Sequence, residues 1–163
     1  MKFKKPFLFL IFIICISCNL NNNITPKSFT YEFSENSQIV INNDQGYEFI
    51  SIEGGESLVF KYRYTADDDE EIADDEYSEI LYFEIDKNLN NFSYSNDDLL
   101  NLQMYMQRFC FCPSIPIIQI SIGNIFGTKQ SNGNWNISLS INFEWGEQSE
   151  TITREINGIF KPQ

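Results

Sequence analysis

Histidine is absent from all 163 residues. That removes Ser-His-Asp and Cys-His catalytic arrangements, and it removes zinc sites built on imidazole. Gly-x-Ser-x-Gly, His-Glu-x-x-His and the glycine motifs that cradle phosphates are missing as well. Basic residues are scarce, with eleven Lys and Arg against 23 Asp and Glu. The first 17 residues hold three of those lysines and no acid, so the remainder sets eight bases against 23 acids, a balance of −15. Such a charge opposes nucleic acid and bare anionic lipid, and favours solubility and cations. No apolar run approaches the roughly 20 residues of a membrane-spanning helix. A glycoside hydrolase working through two carboxylates survives these exclusions. Among 23 acids, however, no pair stands out. The chain reads as a non-enzymatic binding or accessory module without a cofactor, and a small carboxylate-dependent hydrolase is the alternative.

What is present begins with compartment. Lys2, Lys4 and Lys5 precede an apolar run from Phe7 to Ile16, and small Ser17 stands before Cys18. A positive start, a short apolar core and a small residue before the cut describe a secretory signal peptide over 1–17. With Cys first after the cut, Cys15-Ile16-Ser17-Cys18 resembles the lipobox of bacterial lipoproteins, which runs apolar–small–small–Cys. Cys15 stands where that pattern usually has Leu, and Ile16 is larger than usual. The resemblance implies lipidation at Cys18 and a membrane partner reached through that lipid. Residues 18–27 are polar and read as the lipidated Cys and a tether, with one domain over 28–163. No acidic cluster follows Cys18, the first acid being Glu32. The chain thus lacks a cluster resembling the surface-export signal in lipoproteins of the Bacteroidota, and by that resemblance an outer-membrane anchor facing the periplasm is implied over surface display.

From Ser28 the hydrophobic period is two, as in half-buried strands. Phe29, Tyr31 and Phe33 alternate with polar neighbours. Short strands are expected at 39–41 and at 47–53, the latter closed by Gly54-Gly55. Over 57–65, Leu58, Phe60, Tyr62 and Tyr64 share one face. Over 77–86, Leu81, Phe83 and Ile85 oppose Ile80 and Tyr82, which predicts a strand covered on both sides. Residues 88–96 read as a polar connection with Phe92 and Tyr94 turned inward. A helix is expected over 97–108, with Ser95 or Asn96 as cap and Leu99, Leu102, Met106 and Phe109 as its apolar stripe. A strand over 117–128 is expected to bulge at Gly123, where its phase changes. Asn132-Gly133 favours a tight hairpin. Beyond it Trp135, Ile137, Leu139, Ile141, Phe143 and Trp145 take every odd position, and 151–160 returns with Ile152 and Ile156 on one face. The fold class that follows is mainly β: an antiparallel β-sandwich or partly closed barrel of about seven to nine strands with one inserted helix.

Three features carry candidate chemistry. Cys110 and Cys112 are two residues apart, and in a flat strand their Cα atoms would lie ~6.6–6.8 Å apart, the outer limit for a disulfide. A kink at Pro113 would allow the bridge, which is expected in an oxidising compartment; buried free thiols and a metal or redox role are the alternatives. Residues 67–76 hold eight carboxylates and read as a solvated loop. Asp67, Asp69, Glu71, Asp74 and Asp75 are its candidate calcium ligands, although Ile72 and Ser78 break an EF-hand alignment. Tyr62, Tyr64, Tyr77, Tyr82, Trp135 and Trp145 form either a core or an aromatic ligand surface. With the Asn/Ile/Phe-rich composition and the terminal strand meander, the chain resembles the small lipoproteins of the Bacteroidota. That resemblance implies envelope residence and no particular activity, leaving a protein or glycan ligand open.

Overall fold

The computed structural model describes residues 24–69, 71–111, 116–145 and 150–163. Eleven strands form in chain order. They are β1 (Ile24–Thr25), β2 (Ser28–Asp44), β3 (Tyr47–Thr65), β4 (Asp68–Asp69), β5 (Ser78–Asp86), β6 (Asn91–Ser95), β7 (Tyr105–Phe109), β8 (Ile117–Gln119), β9 (Ile122–Lys129), β10 (Trp135–Trp145) and β11 (Glu150–Pro162). A single 3-10 helix spans Asn96–Leu102. Nine strands join in the order β6-β9-β10-β11-β2-β3-β5-β7-β8, and β1 pairs with β4 apart from them. The nine divide into two layers, β6-β9-β10-β11 and β2-β3-β5-β7-β8. Among the described residues, two parallel pairs, Lys161 with Glu32 and Pro162 with Phe33, and the Gln163 amide donating to the Phe33 carbonyl join one layer to the other. The remaining pairings are antiparallel. The architecture is a β-sandwich, not a closed barrel.

The alternation along β10 decides which face is core. Trp135, Ile137, Leu139, Ile141 and Phe143 are buried, and Trp145 is half-buried at the strand's end. They meet Phe33, Phe60, Phe83 and Ile85 of the opposite layer in one continuous cluster. Glycines make room for two of the aromatic rings. Ile137 lies between Gly127 on β9 and Gly158 on β11. A Cβ on Gly127 would come within 2.4 Å of the Phe92 ring, and one on Gly158 within 2.3 Å of Tyr31.

The β2–β3 hairpin is longer than the sequence suggests. The strands expected at 39–41 and 47–53 are continuations of β2 and β3, and Gly54-Gly55 lies inside β3. The hairpin bends where the register slips around Ser37. Asn36 supplies a left-handed φ of 50°, and a Cβ on Gly55 would sit 2.8 Å from the Ser37 backbone. Past the bend, Ile39, Ile50 and Ile52 pack over Val59, Ile80 and Tyr82, forming a second core on the outer side of β3 and β5. The Ile39 amide donates to the Glu84 carboxylate and fastens the fold-back. Strand β5 is thus covered on both sides, as its two apolar faces predict.

Four expectations need correction. The helix over 97–108 is only one 3-10 segment, ended by Gln103 at φ 46°. Met104 and Met106 are fully buried and 105–109 is strand β7, paired with β5. Leu102, Met104 and Met106 fit period two beside that stripe, and ladder pairing to a buried strand won. The bulged strand over 117–128 is two strands in different layers, β8 beside β7 and β9 beside β10. Its change of phase marks that crossing. Residues 91–95 form edge strand β6, although Phe92 is buried and Tyr94 packs on the core as expected. The turn at Asn132-Gly133 is a five-residue loop between paired Lys129 and Trp135, with Gly133 at φ 87°.

Leu139→Ala is expected to cost about 2–5 kcal/mol, the usual range for emptying a well-packed site. Ser140→Ala, on the opposite face, should cost under about 0.5 kcal/mol. Urea melts of the two variants measure the difference, and equal losses would reverse the assignment of faces.

Candidate functional site

Register determines what gathers at one end of the first layer. Phe33, Phe60 and Phe83 are paired across three strands, and two residues along come Tyr31, Tyr62, Leu81 and Met106. Two further along come Phe29, Tyr64, Glu79 and Arg108. All three rows face the sandwich interior, which grades from aromatic through phenolic to charged over about 13 Å of strand.

Glu79 is the centre of that last row, with a side chain only 2% exposed. Arg154, reaching across from β11, donates to it bidentately, Nε to Oε2 and Nη2 to Oε1, both at 2.7 Å. The Tyr77 hydroxyl donates to Oε1 as well. Arg108 places Nε 3.2 Å from the same Oε1. The distance makes an ion pair, but Nε is buried and makes no hydrogen bond, so its N–H points away from the oxygen. The Arg108 guanidinium instead lies over Trp145, 4.1 Å from the ring centroid, with Tyr77 at 5.8 Å. The cluster thus sets two cations against one anion.

Burial pushes the Glu79 carboxyl up, but hydrogen bonds from Arg154 and Tyr77 and the charges of both arginines outweigh it. The net shift is below the usual carboxylate range, so Glu79 is an anion at neutral pH. Burial, and then the hydrogen bond to Glu79, push the Tyr77 phenol up to about 12. Tyr62 is pushed up to about 12 mainly by burial, with the charges of Tyr31 and Glu79 adding to it.

Tyr77 also walls a recess of ≈ 320 Å³ on the outer side of the same end. Arg63, Phe109, Cys110 and Phe111 line it, with Asp68 and Glu76 of the acidic segment. Phe111 is 82% exposed. The recess therefore brings together the two local features singled out in the sequence, the cysteine segment and the acidic run. Cys110 is disulfide-bonded. Its bonding partner, like Cys112 and Cys18, lies outside the described residues.

The candidate calcium ligands do not converge. Asp67 accepts the Lys27 amide at 2.7 Å, Asp69 the Glu71 amide at 3.0 Å and Asp75 the Asp69 amide at 3.0 Å. Glu71 and Asp74 are exposed. Among the described residues no group of three or more such side chains is placed to hold a metal ion. Nor is the run wholly loop, because Asp68 and Asp69 form β4 against Thr25 and Ile24. That pairing also places Ile24 and Thr25, within the segment read as tether, in a strand.

The aromatic residues divide between core and site. Trp135 and Tyr82 are core, Tyr62 and Tyr64 border the charged row, and Tyr77 and Trp145 hold Arg108. Sequence reading missed Glu79, Arg108 and Arg154. Glu79 occupies a core position in a strand otherwise apolar on that face, and such a misplaced charge was the available signal.

Two measurements check the cluster. Glu79→Gln leaves the largely buried Arg108 and the partly exposed Arg154 without their shared anion and is expected to cost about 3–5 kcal/mol at neutral pH. Because the folded carboxyl is lowered, its contribution is present above the usual carboxylate range and lost as pH falls through the folded value. The gap between wild type and variant in denaturant melts should therefore narrow in acid. Raised phenols work in the opposite direction: stability is lost as pH rises from about 10, the unfolded value, through about 12. A tyrosinate absorbance titration should show Tyr62 and Tyr77 ionising late, together with alkaline unfolding.

No family model, curated protein or solved structure matches this chain, so the reading of this end rests on its own side chains.

Proposed function

We propose that the chain is a cell-envelope lipoprotein, lipid-anchored through Cys18 on the outer membrane facing the periplasm, and that it works as a non-enzymatic binding module. The observation that carries the reading is Ser17-Cys18 at the end of a short apolar run, six positions before Ile24, the first paired residue among those described. Six residues span at most about 20–22 Å. Pinning of β1 to β4 keeps the acidic segment and the recess at the anchored end. Anionic headgroups repel that segment, over a range of ~8 Å at physiological ionic strength. The repulsion holds the recess off the bilayer and open to a ligand.

The charge chemistry supports binding over hydrolysis. A carboxylate hydrolase needs an acid poised to give up a proton. Glu79 is held ionised by two arginines and serves to position them.

Metabolic fatty-acid labelling tests the anchor. Wild-type protein should take up label and fractionate with membranes, whereas Cys18→Ala should lose the label. Equal labelling of the variant would overturn the reading.

A further inference from the structure

We propose that Arg108 is the anchor of an oxyanion site, its guanidinium edge receiving a carboxylate or phosphate group of a ligand at the charged end of the sandwich. The inference rests on the reading of this end as a binding end, and is independent of the lipid anchor.

Hydrogen-bond capacity is the starting point. Glu79 accepts three donors, two from Arg154 and one from Tyr77. Its carboxylate offers about four lone-pair sites, so the fork of Arg154 and the phenol nearly fill it. Arg108 approaches as the surplus cation, with Nε at 3.2 Å and misdirected. Nη1 and Nη2 of Arg108 make no hydrogen bond among the described residues. Its side chain is 12% exposed, against 35% for Arg154. A cation withdrawn from water and sharing one anion with another is costly unless a further anion arrives.

Geometry selects the kind of anion. Trp145 covers one face of the guanidinium and fixes its plane, leaving the edge as the approach. A planar edge with parallel N–H donors suits two oxygens held at once, as in carboxylate or phosphate. Chloride offers one point of contact and gains less. Arg154 adds a second positive charge beyond Glu79, and Tyr77 provides an aromatic wall shared with the recess. The surroundings oppose casual occupancy, because the acidic exterior repels anions. An anion held here must be held by specific donors.

The chain has two tryptophans, which makes the site self-reporting. Trp135 is fully buried in the core, whereas Trp145 stacks on Arg108. The full chain in neutral detergent is titrated with sodium phosphate and, separately, sodium acetate, at ionic strength held constant with chloride. A saturable fluorescence change is expected with at least one of them. Saturation by phosphate alone assigns a phosphate group, and saturation by acetate alone a carboxylate. Arg108→Lys keeps the charge beside Glu79 but loses the fork, and should weaken affinity by about tenfold or more. Arg108→Gln should abolish saturation while Trp145→Phe removes the signal, with binding in Trp145→Phe still visible as a rise in melting temperature. Arg108→Lys also stands in should Arg108→Gln fail to fold. No saturation above the chloride reference, or equal affinity in Arg108→Lys, overturns the proposal. Because fatty-acid labelling is read separately, failure here and failure of the anchor are distinguishable.

Discussion

Among the described residues, two backbone pairs and the Gln163 amide donating to the Phe33 carbonyl join one layer of the sandwich to the other, so packing of side chains has to hold it closed. Phe60 is the centre of that packing. Within its layer it stacks on Phe83 at 4.9 Å and 4° and on Phe33 at 5.4 Å, close to the spacing of neighbouring strands. Across the gap it meets Trp135 and Phe160 edge-on, at 5.7 and 5.5 Å. Strand spacing imposes stacking inside a layer, and edge-to-face contact suits rings from facing sheets. Each such pair contributes about 0.5–1.5 kcal/mol beyond its buried area. The indole nitrogen of Trp135 has no hydrogen-bond partner among the described residues, at a cost of about 1–3 kcal/mol, which these ring contacts offset.

That row also explains why the charges lie where they do. Alternation commits every second residue of a strand to the interior for as long as the strand runs. Strands β3 and β5 run past the aromatic rows, so Tyr64 and Glu79 still point inward where the layers approach solvent. An inward carboxylate there demands cations, and the same register supplies Arg108 beside it while β11 supplies Arg154 from across the gap. The ion cluster is the polar end of a single packing scheme.

Period-two patterning was legible because it reflects burial directly. The odd positions of β10 and the two apolar faces of β5 were readable for that reason. Within 99–109 a helical stripe overlapped the period-two run Leu102, Met104 and Met106, and only the presence of β5 as a ladder partner separates the two readings. The break between β8 and β9 was visible as a change of phase, but whether such a change means a bulge or a change of layer depends on contacts distant in sequence. The site was the least legible part. Its three charges come from β5, β7 and β11, with 75 positions between Glu79 and Arg154, and no local spacing joins them. The acidic run was conspicuous in sequence, yet three of its carboxylates turn to backbone amides, two of them within the run and one at Lys27.

The opposed signs of exterior and interior bear on what this end can recognise. A balance of −15 over residues 18–163 creates a field that lowers the local concentration of free anions. The excess cation of the Glu79 cluster lies behind that field, mostly withdrawn from water and stacked on Trp145. Long-range attraction is therefore weak, while short-range hydrogen bonding is strong because the donors are fixed in a region of low polarisability. Salt screens the exterior repulsion more than it screens a partly buried contact. Raising ionic strength consequently removes more of the barrier to an anion's approach than of its grip once bound. Affinity at such a site should decline less with salt than at an exposed basic patch, which relies on the long-range field for its strength.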